Sequence, residues 1–403
     1  MSSYLKIASE SMATKTTKLS ERISKLPPYL FAGIEKTVEE KRKQGVEIIS
    51  FGIGDPDLPA PAEIRERLAV EARDQENHNY SSSKGELEFR EAVVGFMDRR
   101  FGVSINSSQV CACLGSKEAI ANIARAFVNP GDNVICPNPG YPVYAQGATI
   151  LCDGIPGFIP LLEKNNFLPD LDELENLIDA RTRIVYLNYP NNPTSAIASR
   201  KFMERLADIF ERKNAILAYD NAYSEFTYGD YVAPSILEFT GNAIEFHSLS
   251  KTFCMTGDRI GFAVGRKEYV GGLVKVKSQI DSGNPVYTQK AGAFALGLYK
   301  GREKPECVKQ ILREYELRRK VLAAGLKKIG LKVFGSNATF YVWARVPEGS
   351  GGDIKFAERC LERGVVATPG SGFGSAGKGY VRFALTQPMK RIIKALGHIE
   401  RVL

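Results

Sequence analysis

The sequence predicts an α/β fold. It has a large unit on a mainly parallel, doubly covered sheet, and a smaller α+β unit. Two observations carry this expectation. Apolar runs of strand length alternate with helix-patterned segments between about residues 109 and 265, the mark of a parallel sheet with helices on both faces. From about 291 the character changes to one long helical stretch followed by shorter strands and helices. The expected division is a flexible N-terminal arm over 1–18, a large unit over 50–290, and a small unit built from 19–49 and 291–403.

In chain order, a helix is expected from about Phe31 to Lys43, after Pro27-Pro28 and before Gly45. A strand then runs into the Gly/Pro loop of 46-VEIISFGIGDPDLPAP-61. The segment 61-PAEIRERLAVEARD-74 reads as a helix with Pro in its first turn. After a polar loop turning at Gly85, the spacing of Leu87, Val93, Val94, Met97 and Phe101 predicts another helix. The alternating region follows. Strand 109-QVCACL-114 breaks at Gly115-Ser116 into helix 117–128, and strand 133-NVICP-137 leads to the loop 138-NPGYP-142. Strand 183-RIVYLNY-189 ends in 190-PNNPTS-195 and a helix over about 199–213. Strand 215-AILAYD-220 follows, then a strand ending on Lys251, then 260-IGFAVG-265. The small unit carries a helical stretch over 303–330, strands at 331–335 and 339–346, and a helix over 354–364. Strand 365–369, the Gly-rich loop 370-GSGFGSAGKG-379, strand 380-YVRFAL-385 and a closing helix complete it. That loop precedes a strand rather than a helix, which argues against a phosphate cradle.

The composition restricts function. The chain has 403 residues, a formal charge of +8 and 25% charged residues. No basic block with interleaved aromatics appears, so nucleic acid is not expected as a partner. No apolar run approaches the roughly 20 residues of a membrane span. Seven cysteines, an odd number without C-x-x-C, read as reduced thiols of a cytoplasmic protein. The three histidines, His78, His247 and His398, have no metal-ligand spacing.

In sheets of this kind, ligands sit at the carboxyl ends of the strands. Ser116, Tyr141, Asn192, Asp220 and Lys251 each lie at or just after such an end. A lysine there suits imine chemistry, because desolvation lowers its pKa and frees the amine to condense with an aldehyde. Ser248, Ser250 and Arg259 around it suit a phosphate dianion. An aldehyde and a phosphate together point to pyridoxal 5'-phosphate. The plainer alternative is a snorkelling lysine followed by an exposed arginine. Asp220 suits a protonated pyridine nitrogen, or is an ordinary cap. Tyr223 and Asn192 suit the ring 3'-oxygen. Ser116 and Lys117 open a helix whose free N–H groups suit phosphate, unless Ser116 is simply an N-cap. Tyr141 stacks on the ring or is a packed loop aromatic. Arg382, a charge amid apolar residues, pairs with a substrate carboxylate or with a structural partner.

Taken in order, these residues resemble the class I and II aminotransferases of fold type I, which depend on pyridoxal phosphate. The likeness runs from about residue 19 to the end. It rests on 52-GIGDPD-57, Tyr80 with Gly85 and Arg90 in Y-x4-G-x4-R, 115-GSKEA-119, 139-PGYPVY-144, 189-YPNNPT-194, 220-DNAY-223, 248-SLSK-251, Arg259 and 381-VRFAL-385. The resemblance implies an aspartate-aminotransferase-like fold and that Gly54, Asn192 and Arg382 bind the substrate, Gly54 and Arg382 at its α-carboxylate. It also implies that Ser116, Lys117, Ser248, Ser250 and Arg259 hold the phosphate. Tyr80 would reach the phosphate of a neighbouring subunit, which makes a homodimer the active unit. Segments such as 76-ENHNYSSSKG-85, 245-EFHSLSK-251 and 366-VATPGSGFG-374 are most similar to the LL-diaminopimelate aminotransferases. The segments 25-KLPPYLFAGIE-35 and 337-NATFYVWARVPEG-349 add to that likeness. The implied reaction exchanges an amino group between LL-diaminopimelate and 2-oxoglutarate, on the route to lysine. The rival expectations are aspartate, alanine or aromatic amino acids as donor, or a C–S lyase.

Four positions depart from that pattern. Asp258 stands before Arg259 where tryptophan is usual, so its carboxylate either opposes phosphate or points to solvent. Ser195 follows N-P-T where glycine is usual. The loop 81-SSSK-84 lacks an acid that one branch uses for the distal amine. The stretch 282-SGNPVYTQ-289 lacks the expected aromatic loop.

Overall fold

A computed structural model describes residues 17–27, 30–335 and 337–403. The expected arm over 1–18 lies outside the described residues except for its last two. In chain order the first strands are β1 (Ile49–Ser50), β2 (Val110–Cys113), β3 (Asn133–Asn138), β4 (Ile155–Pro160) and β5 (Thr182–Asn188). Next come β6 (Ile216–Asp220), β7 (Ala243–Ser248) and β8 (Gly261–Gly265). The last are β9 (Lys332–Phe334), β10 (Tyr341–Arg345), β11 (Val365–Val366), β12 (Thr368–Pro369) and β13 (Tyr380–Ala384).

The central sheet has seven strands in the order β2-β8-β7-β6-β5-β3-β4. Every pair from β7 to β4 is parallel, and β8 alone runs against its neighbours. Two reversals leave β2 pointing the same way as β7. Side chains alternate between two apolar layers, as the two-residue period of a strand requires. Ile184 and Tyr186 of β5 and Ala218 of β6 pack with Ile120 and Ile123 from helix Ser116–Phe127. Val185, Leu187, Leu217 and Tyr219 face the other way, onto Met203, Leu206 and Phe210 of helix Arg200–Arg212. Ser199 starts that helix by accepting from the Phe202 N–H at 3.2 Å, a capping contact typical of serine.

The second sheet is antiparallel, ordered β12-β13-β10-β9. β1 pairs in parallel with β11. The two sheets meet through the 51–57 loop. Phe51 carbonyl accepts from Ala384 N–H, and Asp57 accepts from Arg318 Nη1 at 2.6 Å and from Tyr315 Oη at 2.9 Å. These contacts set the chain of the first loop against the end of β13.

Several elements differ from the sequence reading. β4 is an unread edge strand. Its prolines, Pro156 and Pro160, obscure it, and an edge is where a strand tolerates proline. Helix Val286–Gly297 crosses residue 290, the expected join between units. Lys251 does not end a strand. β7 stops at Ser248, and Lys251 rides on the single helical turn Leu249–Thr252 beyond it. Ser116 is not the N-cap of its helix; Gly115 is, with φ of +76°.

Candidate active site

The parallel strands bring their carboxyl ends to one edge of the central sheet. Ser116 follows β2, Tyr141 follows β3, Asn192 follows β5, Asp220 ends β6 and Lys251 follows β7. All five line one cavity of about 470 Å³. Gly54, Lys117, Tyr223, Ser248, Ser250, Arg259 and Arg382 line it too. Tyr80 does not. Its side chain is 91% exposed and lies away from its own chain's cavity.

Lys251 Nζ donates to the Gly54 carbonyl at 3.0 Å. Burial lowers its pKa to about 8, opposed by the Asp55 carboxylate and reinforced by Arg259 and Arg382. A good fraction of the amine is therefore neutral near pH 8, the form that attacks an aldehyde. Asp220 lies deeper. Burial pushes its carboxyl up to about 6, and a hydrogen bond from Tyr144 leads the influences that hold it down. Tyr144 Oη donates to Asp220 Oδ2 at 2.7 Å, and the Ala222 N–H donates to Oδ1 at 3.2 Å. Tyr144 itself sits on a π-helical turn, Tyr144–Thr149, with its ring stacked on Tyr186 at 5.1 Å.

One end of the cavity is built for an anion. Gly115 lets the chain turn into helix Ser116–Phe127 beneath Arg259; a Cβ there would lie 2.7 Å from Arg259 Nη2. Arg259 has φ of +53° and donates to the Thr256 and Leu114 carbonyls, both at 2.9 Å. Ser250 Oγ is buried with no hydrogen-bond partner among the described residues. An isolated buried hydroxyl is costly unless something bonds to it. Lys117 stands nearby, its pKa lowered by burial and by Arg259. Asp258 is not among the residues lining the cavity, and burial pushes its carboxyl up from its ordinary value. A hydroxyl orphan, a guanidinium, an ammonium and a helix N-terminus fit the phosphate of pyridoxal phosphate, with Lys251 and Asp220 toward the other end.

The opposite wall comes from the second sheet. Arg382 of β13 is 2% exposed and donates to Asn192 Oδ1 at 2.8 Å and to the Gly52 carbonyl at 2.6 Å. Its guanidinium lies 4.4 Å from the ring centre of Tyr341. Tyr341 and Tyr144 are site residues that strand-exit reasoning missed. Tyr144 stands in the quoted 139-PGYPVY-144 motif and Tyr341 in 337-NATFYVWARVPEG-349, which was the available signal.

With the geometry in place, comparison with known proteins decides the family. The model of the family "Aminotransferase class I and II" matches residues 46–399. The chain belongs to the class I and II aminotransferases. This aminotransferase is 47% identical to the LL-diaminopimelate aminotransferase of Aquifex aeolicus, over 96% of this chain and 99% of that one. It is 43% identical to the enzyme of the same name from Moorella thermoacetica, over 95% and 98%. Among solved structures, an aspartate aminotransferase variant of Thermus thermophilus superposes with a TM-score of 0.90 at 28% identity, over 96% of this chain and all of that one. An aspartate-aminotransferase-like fold was the expectation, and it is the fold found.

The departures also acquire physical explanations. Ser195 takes φ of +59°, the left-handed region where glycine is at ease. Its hydroxyl compensates through Thr339 Oγ1 at 2.7 Å and the Tyr341 carbonyl at 2.9 Å. The 81–84 loop and the 282–289 stretch, both departures, touch each other. Gln289 Nε2 donates to Ser81 Oγ at 2.9 Å, and Gly283 lies so close to Ser82 that a Cβ would sit 2.6 Å from its carbonyl oxygen. Neither segment lines the cavity of its own chain. Among the described residues, no helix is long and apolar enough to cross a membrane.

Proposed function

We propose that this aminotransferase exchanges an amino group between LL-2,6-diaminopimelate and 2-oxoglutarate, using pyridoxal 5'-phosphate in the cavity around Lys251. The observation that carries the substrate is the 47% identity, across nearly the whole of both chains, to a protein named for that reaction. The cofactor reading is supported by the Lys251 amine, the Asp220 carboxylate and the anion-suited end lining one cavity.

When bound, the pyridoxal ring supplies the electron sink that lets an amino acid lose its α-proton. Every other task falls to the chain. Ser116, Lys117, Ser248, Ser250 and Arg259 hold the phosphate, and Tyr141 covers the ring face. Asp220, kept ionised by Tyr144, holds a proton at the ring nitrogen. Tyr223 and the amide N–H of Asn192 donate to the 3'-oxygen. Arg382 and the Gly54 region hold the substrate α-carboxylate, with a planar fork suited to it. The Lys251 amine would take the α-proton and return it two bonds away, at the carbon that carried the aldehyde. The first donor would leave as its keto acid with its nitrogen kept in the site, and 2-oxoglutarate would take up that nitrogen through the same steps in reverse and leave as glutamate.

The working unit in this proposal is a homodimer, with Tyr80 of one copy reaching the phosphate held by the other. Its nearly full exposure in the single chain supports that reading. A reducing, cytoplasmic setting belongs to the same proposal, supported by the odd number of cysteines without C-x-x-C. Aspartate as donor is the second reading, favoured by the match to the Thermus enzyme. Coupled assays with 2-oxoglutarate and a panel of LL-diaminopimelate, aspartate, alanine and tyrosine separate the two. Turnover led by diaminopimelate is expected; turnover led by aspartate overturns the first reading.

A further inference from the structure

Tyr341 of β10 touches Tyr223, Arg382 and Gly54, three residues of the cavity lining. Its hydroxyl lies 2.9 Å from the Tyr223 hydroxyl. Its ring supports the Arg382 guanidinium at 4.4 Å. Its Oη also fills the space beside Gly54, where a Cβ would approach within 2.1 Å. Its backbone carbonyl accepts from Ser195 Oγ at 2.9 Å, which ties the strand to the 190–195 loop. Tyr341 is 2% exposed and lines the cavity beside Tyr223.

A tyrosine hydroxyl has one proton to give. If Tyr223 gives its proton to an oxygen in the cavity, its own oxygen must accept, and Tyr341 is the neighbour placed to donate. The two phenols then form a chain that runs from Tyr341 through Tyr223 into the site. Such chains strengthen each member, because a donor that is itself a hydrogen-bond acceptor becomes a better donor. We infer that Tyr341 is a positioning residue: its hydroxyl sharpens Tyr223 as the donor to the cofactor's 3'-oxygen, while its ring holds Arg382 flat for the substrate carboxylate. This inference rests on the pyridoxal phosphate reading.

Other charges reach the same pair. Asp220 at the end of β6 and Asp55 in the first loop face it as carboxylates, and Arg382 from β13 faces it as a cation. Lys251, on the turn after β7, donates to the carbonyl of the same Gly54 that Tyr341 Oη abuts. All four remain in place when only the Tyr341 hydroxyl is removed, so a shift seen in Tyr341→Phe belongs to that hydroxyl.

The test is a pH titration of the visible absorbance of the protein loaded with pyridoxal phosphate. It is run on wild type, Tyr341→Phe, Tyr223→Phe and the double variant. A hydrogen bond to the 3'-oxygen favours the deprotonated imine, so weakening it moves the spectral transition to higher pH. Tyr341→Phe is expected to raise the midpoint by roughly half to one pH unit, and Tyr223→Phe by more. In the Tyr223→Phe background the second substitution is expected to have no further effect. KM for the amino donor stays near wild type in Tyr341→Phe, which keeps the ring, and rises about tenfold or more in Tyr341→Leu, which removes it. Equal and additive midpoint shifts, or no shift in Tyr341→Phe, overturn the inference while leaving the cofactor reading intact. A wild-type protein that gains no visible band with pyridoxal phosphate overturns the cofactor reading and this inference with it.

Discussion

The Tyr144 hydroxyl donates to Asp220 Oδ2 at 2.7 Å, within the lining of the cavity. Both groups are buried, and the tyrosine's own pKa is driven well above its ordinary value by that burial and by the carboxylate. Tyr144 therefore stays protonated and always donates. Asp220, pushed up to about 6 by burial, depends on that donor to remain ionised near neutral pH.

Removing the donor should move Asp220 further up. A hydrogen bond to a charged group contributes about 1.5–3 kcal/mol, which corresponds to about one to two pH units. In Tyr144→Phe the acidic limb of the kcat/KM profile is expected to shift up by that amount. Activity then falls steeply at pH 6 and recovers toward pH 8.5. An unshifted acidic limb would show that Tyr144 only packs.

Lys251 gives a second pH prediction. Its pKa is lowered to about 8, so below that pH the attacking neutral amine falls tenfold per unit. The rate at which the free chain captures pyridoxal phosphate should rise with pH and level off above about 8. The sign follows from burial, which favours the neutral amine. Stopped-flow absorbance checks this, and a rate that stays flat between pH 6 and 9 would contradict it.

Gly54 leaves no room for a side chain, since a Cβ would lie 2.1 Å from Tyr341 Oη. Gly54→Ala is expected to displace Tyr341 and weaken substrate binding. Overpacking of this kind costs about 1–3 kcal/mol. KM for the amino donor should rise at least tenfold with a smaller loss of kcat. An unchanged KM would mean that Tyr341 moves aside without consequence.

Ser195 separates backbone strain from hydrogen bonding. Ser195→Ala keeps φ of +59° and loses the bonds to Thr339 and Tyr341, at about 0.5–1.5 kcal/mol each. Ser195→Gly loses the same bonds but regains about 1–2 kcal/mol from relieved strain. Urea melts should rank wild type and Gly together, with Ala below both. An Ala variant more stable than Gly would contradict this reading of the turn.

Much of the site was legible because parallel strands end at one edge, and a polar residue after an apolar run is visible by inspection. Ser116, Tyr141, Asn192, Asp220 and Lys251 share that signature. Tyr144 and Tyr341 do not. Tyr144 opens a π-helical turn over 144–149, which no local pattern marks, and meets Asp220 only in the folded chain. Tyr341 sits inside an apolar strand, where a tyrosine reads as core, and its hydroxyl meets Tyr223 only when the two sheets pack. The parallel core of the fold was visible from its apolar runs, whereas β4 was hidden by the prolines that its edge position permits. The single turn that carries Lys251 past β7 is too short for periodicity to reveal.

The most direct test of the central claim is to locate the lysine that captures the aldehyde. The full chain is incubated with pyridoxal 5'-phosphate, reduced with borohydride and digested, and the modified peptide is sequenced by mass spectrometry. One equivalent of label on Lys251, and its loss in Lys251→Ala, is the predicted result. Label spread over surface lysines, or concentrated on a lysine outside the cavity, would contradict it.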